Sequence, residues 1–140
     1  MKVAVSATEK DLNAEIDQRF GRCPYFIVVD TDDMSFEAFE NESMRLGGGA
    51  GIQSAQFVAS KGARVVITGN IGPNAMSTLS AAGIKVVTGQ TGTVRKAIEG
   101  YKEGKLKISS EATVSAPYGI RRGSGMGRGM GPRGGMGEKR

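Results

Sequence analysis

The chain has 140 residues, 24% of them charged and 39% hydrophobic, with one cysteine and no histidine. This is about one domain, long enough to bury a core unaided, and the lone Cys23 excludes an internal disulfide and a multi-cysteine zinc site. The formal charge of +5 sits entirely at one end: from Tyr118 onward Arg121, Arg122, Arg128, Arg133, Lys139 and Arg140 oppose only Glu138, whereas residues 1–117 hold 13 basic and 13 acidic groups. No segment approaches the roughly 20 apolar residues of a membrane helix, and Met1 to Ser6 is too short an apolar run for a secretory signal. A soluble, cytoplasmic protein with no membrane association is expected.

Lys2 to Ser6 reads as a strand with Val3 and Val5 on one face. A polar loop follows, and Tyr25 to Thr31 is a nearly continuous apolar strand. Ser35 to Phe39 forms a third strand with Phe36 and Phe39 as its apolar positions. After Gly51 the period changes to that of a helix, with Ile52, Ala55 and Ala59 at i, i+3 and i+7 and Gly62 as the stop. Arg64 to Thr68 is a buried strand, and a helix runs from Pro73, suited to a first turn, to Ala82. Ile84 to Thr88 is the last strand. The final helix carries Val94, Ala97, Ile98 and Tyr101 at i, i+3, i+4 and i+7 and ends at Gly104. Close early strands followed by β-α alternation define a mixed sheet covered by helices. This domain is expected over residues 1–108. Residues 109–140 are expected to form a flexible tail rich in Gly, Arg and Met, because nine of the 23 residues from Tyr118 are glycine and little apolar surface repays their ordering.

Three glycine-rich junctions precede helices: Gly47-Gly48-Gly49-Ala50-Gly51, Gly69-Asn70-Ile71-Gly72-Pro73-Asn74 and Gly89-Gln90-Thr91-Gly92-Thr93. Each reads as a plain turn or as a site where close main chain and unpaired helix amides accept an anion. Two of them follow parallel strands, where guests of such sheets gather, so one shared cleft is expected. The block Arg19-Phe20-Gly21-Arg22-Cys23-Pro24-Tyr25-Phe26 adds two guanidinium groups, read either as cations over an anionic guest or as members of surface ion pairs. Cys23 reads as a small buried hydrophobe or, if exposed beside Arg22, as a thiolate fit for a soft metal. Without histidine there is no obvious base for a cysteine nucleophile, and no catalytic residues are assigned. P-loop and dinucleotide fingerprints are absent. Asp30, Asp32 and Asp33 read as a solvated turn or a hard-cation site. In the tail, arginine among glycine suits phosphates, and Met126, Met130 and Met136 suit Cu(I).

Taken in order, these blocks resemble the dinitrogenase iron-molybdenum cofactor biosynthesis family, which includes NifX, the C-terminal part of NifB and small stand-alone proteins. The resemblance runs from Lys2 to about Leu106. It rests on the Arg19 to Phe26 block, Gly48-Gly49-Ala50-Gly51-Ile52, Gly72-Pro73-Asn74-Ala75, Gly83-Ile84-Lys85, Gly92-Thr93-Val94, and Tyr101 with Gly104-Lys105-Leu106. It implies a ribonuclease-H-like three-layer α/β fold with a five-stranded mixed sheet of order 3-2-1-4-5, strand 2 antiparallel and helices on both faces. It also implies non-catalytic binding or carriage of iron-molybdenum cofactor, its iron-sulfur precursor or a related molybdenum, iron or copper cluster, exchanged with donor and acceptor proteins. The residues assigned to the guest are Arg19, Phe20, Gly21, Arg22, Cys23, Gly48, Gly49, Ala50, Gly51, Gly72, Pro73, Asn74, Gly92 and Thr93, with Cys23 as the candidate metal ligand. Many members carry histidine where this chain has Arg19, which leaves Cys23, amides and arginines to hold a cluster here. Two readings from other classes stand beside this one: a nucleic-acid interaction protein acting through the basic tail, and a small phosphate- or nucleotide-binding regulator.

Overall fold

The computed structural model describes residues 1–45, 48–109 and 112. Strands β1 (Lys2–Ala7), β2 (Tyr25–Asp30) and β3 (Phe36–Glu40) come first, followed by a 3-10 turn over Glu42–Arg45. Helix α1 (Ala50–Ser60), β4 (Ala63–Ile67), α2 (Pro73–Ala81), β5 (Lys85–Val87) and α3 (Val94–Lys102) complete the order. The five strands form one sheet of order β3-β2-β1-β4-β5. β2 pairs antiparallel with both β1 and β3, while β1, β4 and β5 run parallel. The expected sheet order and the antiparallel second strand are therefore both present.

The alternation of side chains along the strands supplies two cores. Ala4, Phe26, Val28, Val66 and Val86 face α1 and α2, meeting Ala55, Val58, Met76 and Leu79. Val3, Val5, Ile27, Val29, Val65, Ile67 and Val87 face the other way and meet Val94, Ala97 and Ile98 of α3. Helices thus cover both faces, and β2 reads as an unbroken apolar run because it is buried on both sides. β3 lies at the edge, and its two aromatics part company: Phe36 is exposed, whereas Phe39 stacks edge-on against Phe57 of α1 at 5.5 Å. Spacing of three along a strand puts two residues on opposite faces, which explains the imperfect alternation of this segment.

At the other edge, the Ser109 amide donates to the Val86 carbonyl (2.6 Å), and the Ser109 and Thr88 hydroxyls share a 2.6 Å hydrogen bond. Ala112 packs against the core beneath α1 and α2. Ser109 and Ala112, both within the stretch expected to be tail, thus make contacts with the fold. The arginines and methionines from Arg121 onward, including Met126, Met130 and Met136, lie outside the described residues, as does Gly47 of the first junction.

One long loop decides what happens at the carboxyl ends of the parallel strands. Residues 8–24 fold back over them and are laced to each in turn. The Asp17 amide donates to Ser6 O at the end of β1 (2.9 Å), the Asn70 amide beyond β4 donates to Gln18 O (2.8 Å), and the Ile16 amide donates to Gly92 O beyond β5 (2.9 Å).

Candidate functional site

The loop meets the starts of α1 and α2 because glycines let main chain touch main chain. A Cβ on Gly21 would fall 2.9 Å from the Gly51 nitrogen, and one on Gly69 would fall 2.7 Å from the Gln18 Cα, distances no side chain can occupy. Asn41, almost fully buried, fastens the turn from behind. Its Nδ2 donates to the carbonyls of Gly21 (3.1 Å) and Cys23 (2.9 Å), and its Oδ1 accepts from Ser54 Oγ of α1 (3.3 Å). Phe20 completes the anchorage, buried with its ring centroid 5.3 Å from that of Phe26.

Between these segments lies a cleft of about 370 Å³ walled by residues 18–22, 48–52 and 70–75. It gathers Arg19, Phe20, Gly21, Arg22, Gly48, Gly49, Ala50, Gly51, Gly72, Pro73 and Asn74. Two helix N-termini open into it, and neither Gly49 before α1 nor Gly72 before α2 offers a side-chain cap. The amides of a first helical turn have no partner within the helix, so they present partial positive charge to the cleft. Pro73 occupies the first position of α2, where a missing N–H costs nothing.

Gly92 and Thr93 lie outside this lining, so the expectation of one cleft shared by all three junctions is corrected. The start of α3 is closed from within. Thr93 Oγ1 accepts the Lys96 amide (3.2 Å), and the Val94 and Arg95 amides donate to Ala14 O and Leu12 O, both 2.9 Å. The loop that walls the first two helix starts plugs the third.

The two arginines are less available than the sequence implied. Arg19 Nε and Nη2 each donate to the Asp17 carboxylate at 3.2 Å, and the Arg19 amide donates to Asp17 Oδ1 at 2.9 Å. This hydrogen-bonded ion pair raises the Arg19 pKa above its ordinary value and balances its charge. Arg22 Nη1 donates to the Met44 carbonyl (2.8 Å), tying the 3-10 turn to the loop.

Cys23 requires a second correction. It is fully buried in the core, and its Sγ donates to Phe20 O at 3.3 Å. Burial, with the Asp17 carboxylate adding to it, pushes the thiol up to about 12. The exposure on which a metal-binding thiolate depended is absent, and this donor set fits an anion held by main-chain amides better than a metal held by sulfur. The acidic turn likewise resolves into turn chemistry: the Asp32 amide donates to Asp30 Oδ1 and the Ser35 amide to Asp33 Oδ1, both 2.9 Å. Among the described residues no cluster of three or more acidic or cysteine side chains is placed to hold a metal ion.

Gln18, Ile52, Asn70, Ile71 and Ala75 also line the cleft, although the sequence reading assigned them no role. Asn70 and Ile71 stand inside a junction already singled out, so their position was available as a signal. Gln18 had none, since only the fold brings its Nε2 to the Gln90 carbonyl (3.0 Å).

The family model described as dinitrogenase iron-molybdenum cofactor matches residues 1–104. The chain belongs to this family. It is 33% identical over 98 residues to an uncharacterised protein of Methanocaldococcus jannaschii, covering 68% of this chain and 83% of that one. Among solved structures it is similar to the apo form of the orange protein of Desulfovibrio gigas, with 39% identity, a TM-score of 0.79, and coverage of 81% of this chain and 96% of that one. A Thermotoga protein provisionally assigned as NifB shares 38% identity and a TM-score of 0.71, over 81% of this chain and 97% of that one. Among the described residues no helix is long and apolar enough to cross a membrane.

Proposed function

We propose that this protein binds an anionic metal–sulfur cluster in the cleft between the starts of α1 and α2 and carries it, unreacted, between donor and acceptor proteins of the cytoplasm. The observation that carries the reading is the convergence of two helix starts without side-chain caps on one cleft. Sulfide ligands on a cluster surface are hydrogen-bond acceptors, and fixed amides hold them without reorganising. Family membership supports a metal–sulfur guest over other anions. With Cys23 buried, recognition rests on the outer sulfurs of the guest, and a cluster so held is free to leave intact. Iron-molybdenum cofactor, its iron-sulfur precursor and related molybdenum or copper clusters all meet this description.

The test is an anaerobic titration with tetrathiomolybdate, the simplest soluble molybdenum–sulfur anion, followed by visible absorption and by metal and sulfide analysis of the isolated protein. Asn74→Asp places a carboxylate in the first turn of α2, where it favours the helix but competes with an anionic guest. Affinity should fall about tenfold while the melting temperature holds or rises by a degree or two. Unchanged affinity in this variant removes the cleft from consideration. Inorganic phosphate serves as the control anion, because equal or tighter phosphate binding would favour the phosphate-regulator reading.

A further inference from the structure

The sheet ends differently on its two sides. Beyond β5 the Ser109 amide donates to the Val86 carbonyl and closes that edge. β3 pairs with β2 alone, and among the described residues no strand lies beyond it. The phase of its hydrogen bonds fixes which groups are left over. β2 and β3 run antiparallel, with Tyr25 opposite Glu40 and Val29 opposite Phe36. In the same register the Asp30 amide donates to Ser35 O (2.8 Å) at one end, and the Asn41 amide donates to Pro24 O (2.9 Å) at the other. Ser35 and Asn41 therefore turn their main-chain groups toward β2, and so, at a period of two, do Glu37 and Phe39. The amides and carbonyls of Phe36, Ala38 and Glu40 point the other way, as the rungs of an open ladder.

We propose that this edge is the docking site for an extended segment of a partner protein that carries Lys or Arg and adds to β3 as a further strand. Charge says what the occupant is. From Cys23 to Met44 the chain has six carboxylates, Asp30, Asp32, Asp33, Glu37, Glu40 and Glu42, and no lysine or arginine, although residues 1–117 as a whole are neutral. Glu37 and Glu40 stand exposed on the strand itself, on opposite faces of the sheet. Among the described residues neither is in an ion pair. The lysines that reach this region from elsewhere lie over rings, Lys61 Nζ at 4.6 Å from the centroid of Phe39 and Lys10 Nζ at 5.7 Å from that of Tyr25. A second copy of this chain is the poorer occupant, because it would bring the same carboxylates to the ladder a second time. Phe36, exposed beside Val29, supplies apolar surface for the incoming strand to cover. Antiparallel to β3, the complement is a basic residue opposite Glu40, another opposite Glu37 and a β-branched residue opposite Phe36. Main-chain bonds would hold such a strand, and these side chains would select it. β3 leads into Asn41, which grips the Gly21 carbonyl, so a docked partner stands beside the cleft wall. The inference does not depend on what the cleft binds.

The probe is the peptide Lys-Thr-Val-Lys-Ile, capped at both ends and written to that complement, added at millimolar concentration to the full-length chain while amide hydrogen exchange is followed by NMR. In the chain alone the Phe36, Ala38 and Glu40 amides should exchange faster than those of Glu37 and Phe39. At a probe concentration about four times its dissociation constant, the three outward amides should slow about fivefold. The peptide Glu-Thr-Val-Glu-Ile should leave them unchanged. Ala38→Pro removes an outward N–H without breaking a bond to β2, and should abolish the effect. The double variant Glu37→Lys with Glu40→Lys alters exposed side chains only, so it decides the matter should the proline variant fail to fold. It should bind the basic peptide about tenfold more weakly and take the acidic one in its place. Outward amides indifferent to the basic peptide, or equally slowed by both peptides, overturn the inference. Slow exchange of those amides in the chain alone at every dilution also overturns it, since the edge is then covered from within. Protection that grows with protein concentration assigns the edge to a second copy instead. Tetrathiomolybdate plays no part in these readings, so the edge and the cleft stand or fall separately.

Discussion

Helices α2 and α3 both begin after a glycine-bearing junction at the carboxyl end of a parallel strand, yet their first turns have opposite fates. At α2 the cap is Gly72, which has no side chain to offer, and the amides beyond Pro73 face a cleft. At α3 Thr93 caps the helix, and the carbonyls of Leu12 and Ala14 take the amides of Arg95 and Val94. The same local signal therefore opens onto a cleft in one place and makes an internal joint in the other. What decides is the remote loop of residues 8–24, which touches α1 at Gly21 and Gly51 yet leaves a cleft beside the first turns of α1 and α2, whereas its Leu12 and Ala14 carbonyls lie directly on the first turn of α3.

The largest expected effect comes from closing the open side. Gly21→Ala forces a Cβ to within 2.9 Å of the Gly51 nitrogen, a backbone atom that cannot swing away. The loop or α1 must shift, at a cost of about 2 kcal/mol, read as a lower urea midpoint with an unchanged slope, and tetrathiomolybdate binding should be lost with it. Next comes the thiol beneath the cleft. The folded chain keeps the Cys23 proton up to about 12, whereas the unfolded chain releases it near the ordinary 9.0. Between these values the unfolded state holds fewer protons, so stability falls as pH rises, by up to about 1.4 kcal/mol per pH unit, and is untouched below pH 9. Urea midpoints from pH 8 to 11 should show this slope in the native chain and a shallower one in Cys23→Ala. Smaller still is the closed side: Thr93→Ala should cost about 1 kcal/mol through loss of the cap and leave thiomolybdate affinity unchanged. A fall in affinity would return the third junction to the site.

The fold was readable because its determinants are local and periodic. Val94, Ala97, Ile98 and Tyr101 define one face of α3 by spacing alone, and the uninterrupted run of β2 signals a strand buried on both sides. The site was readable only in part. The glycine junctions and the Arg19 to Cys23 block carried a signal, and most of them do assemble around one cleft. Their availability carried none. Nothing in the order of residues says that Cys23 points into the core, that Asn41 grips the carbonyls of Gly21 and Cys23 from another strand's end, or that Leu12 and Ala14 occupy the amides of α3. These outcomes depend on contacts between segments 18 to 83 residues apart, which no local pattern encodes.

The pair Asp17–Arg19 gives the subtlest test of how the open cleft is tuned. Asp17 is nearly buried whereas the Arg19 side chain is 64% exposed, so the carboxylate is held and the guanidinium rests against it. An exposed partner makes the pair worth little to stability, about 0–1 kcal/mol. Its effect on a guest is a separate matter, because it cancels a positive charge at the mouth of the proposed anion site. Asp17→Asn keeps the shape and an oxygen able to accept the Arg19 amide, while leaving the guanidinium its full charge. Thiomolybdate affinity should then rise a fewfold at low salt, with the gain vanishing at high salt as screening removes it. An affinity that falls instead would mean that Asp17 positions Arg19 for the guest, and that the ion pair belongs to the recognition surface.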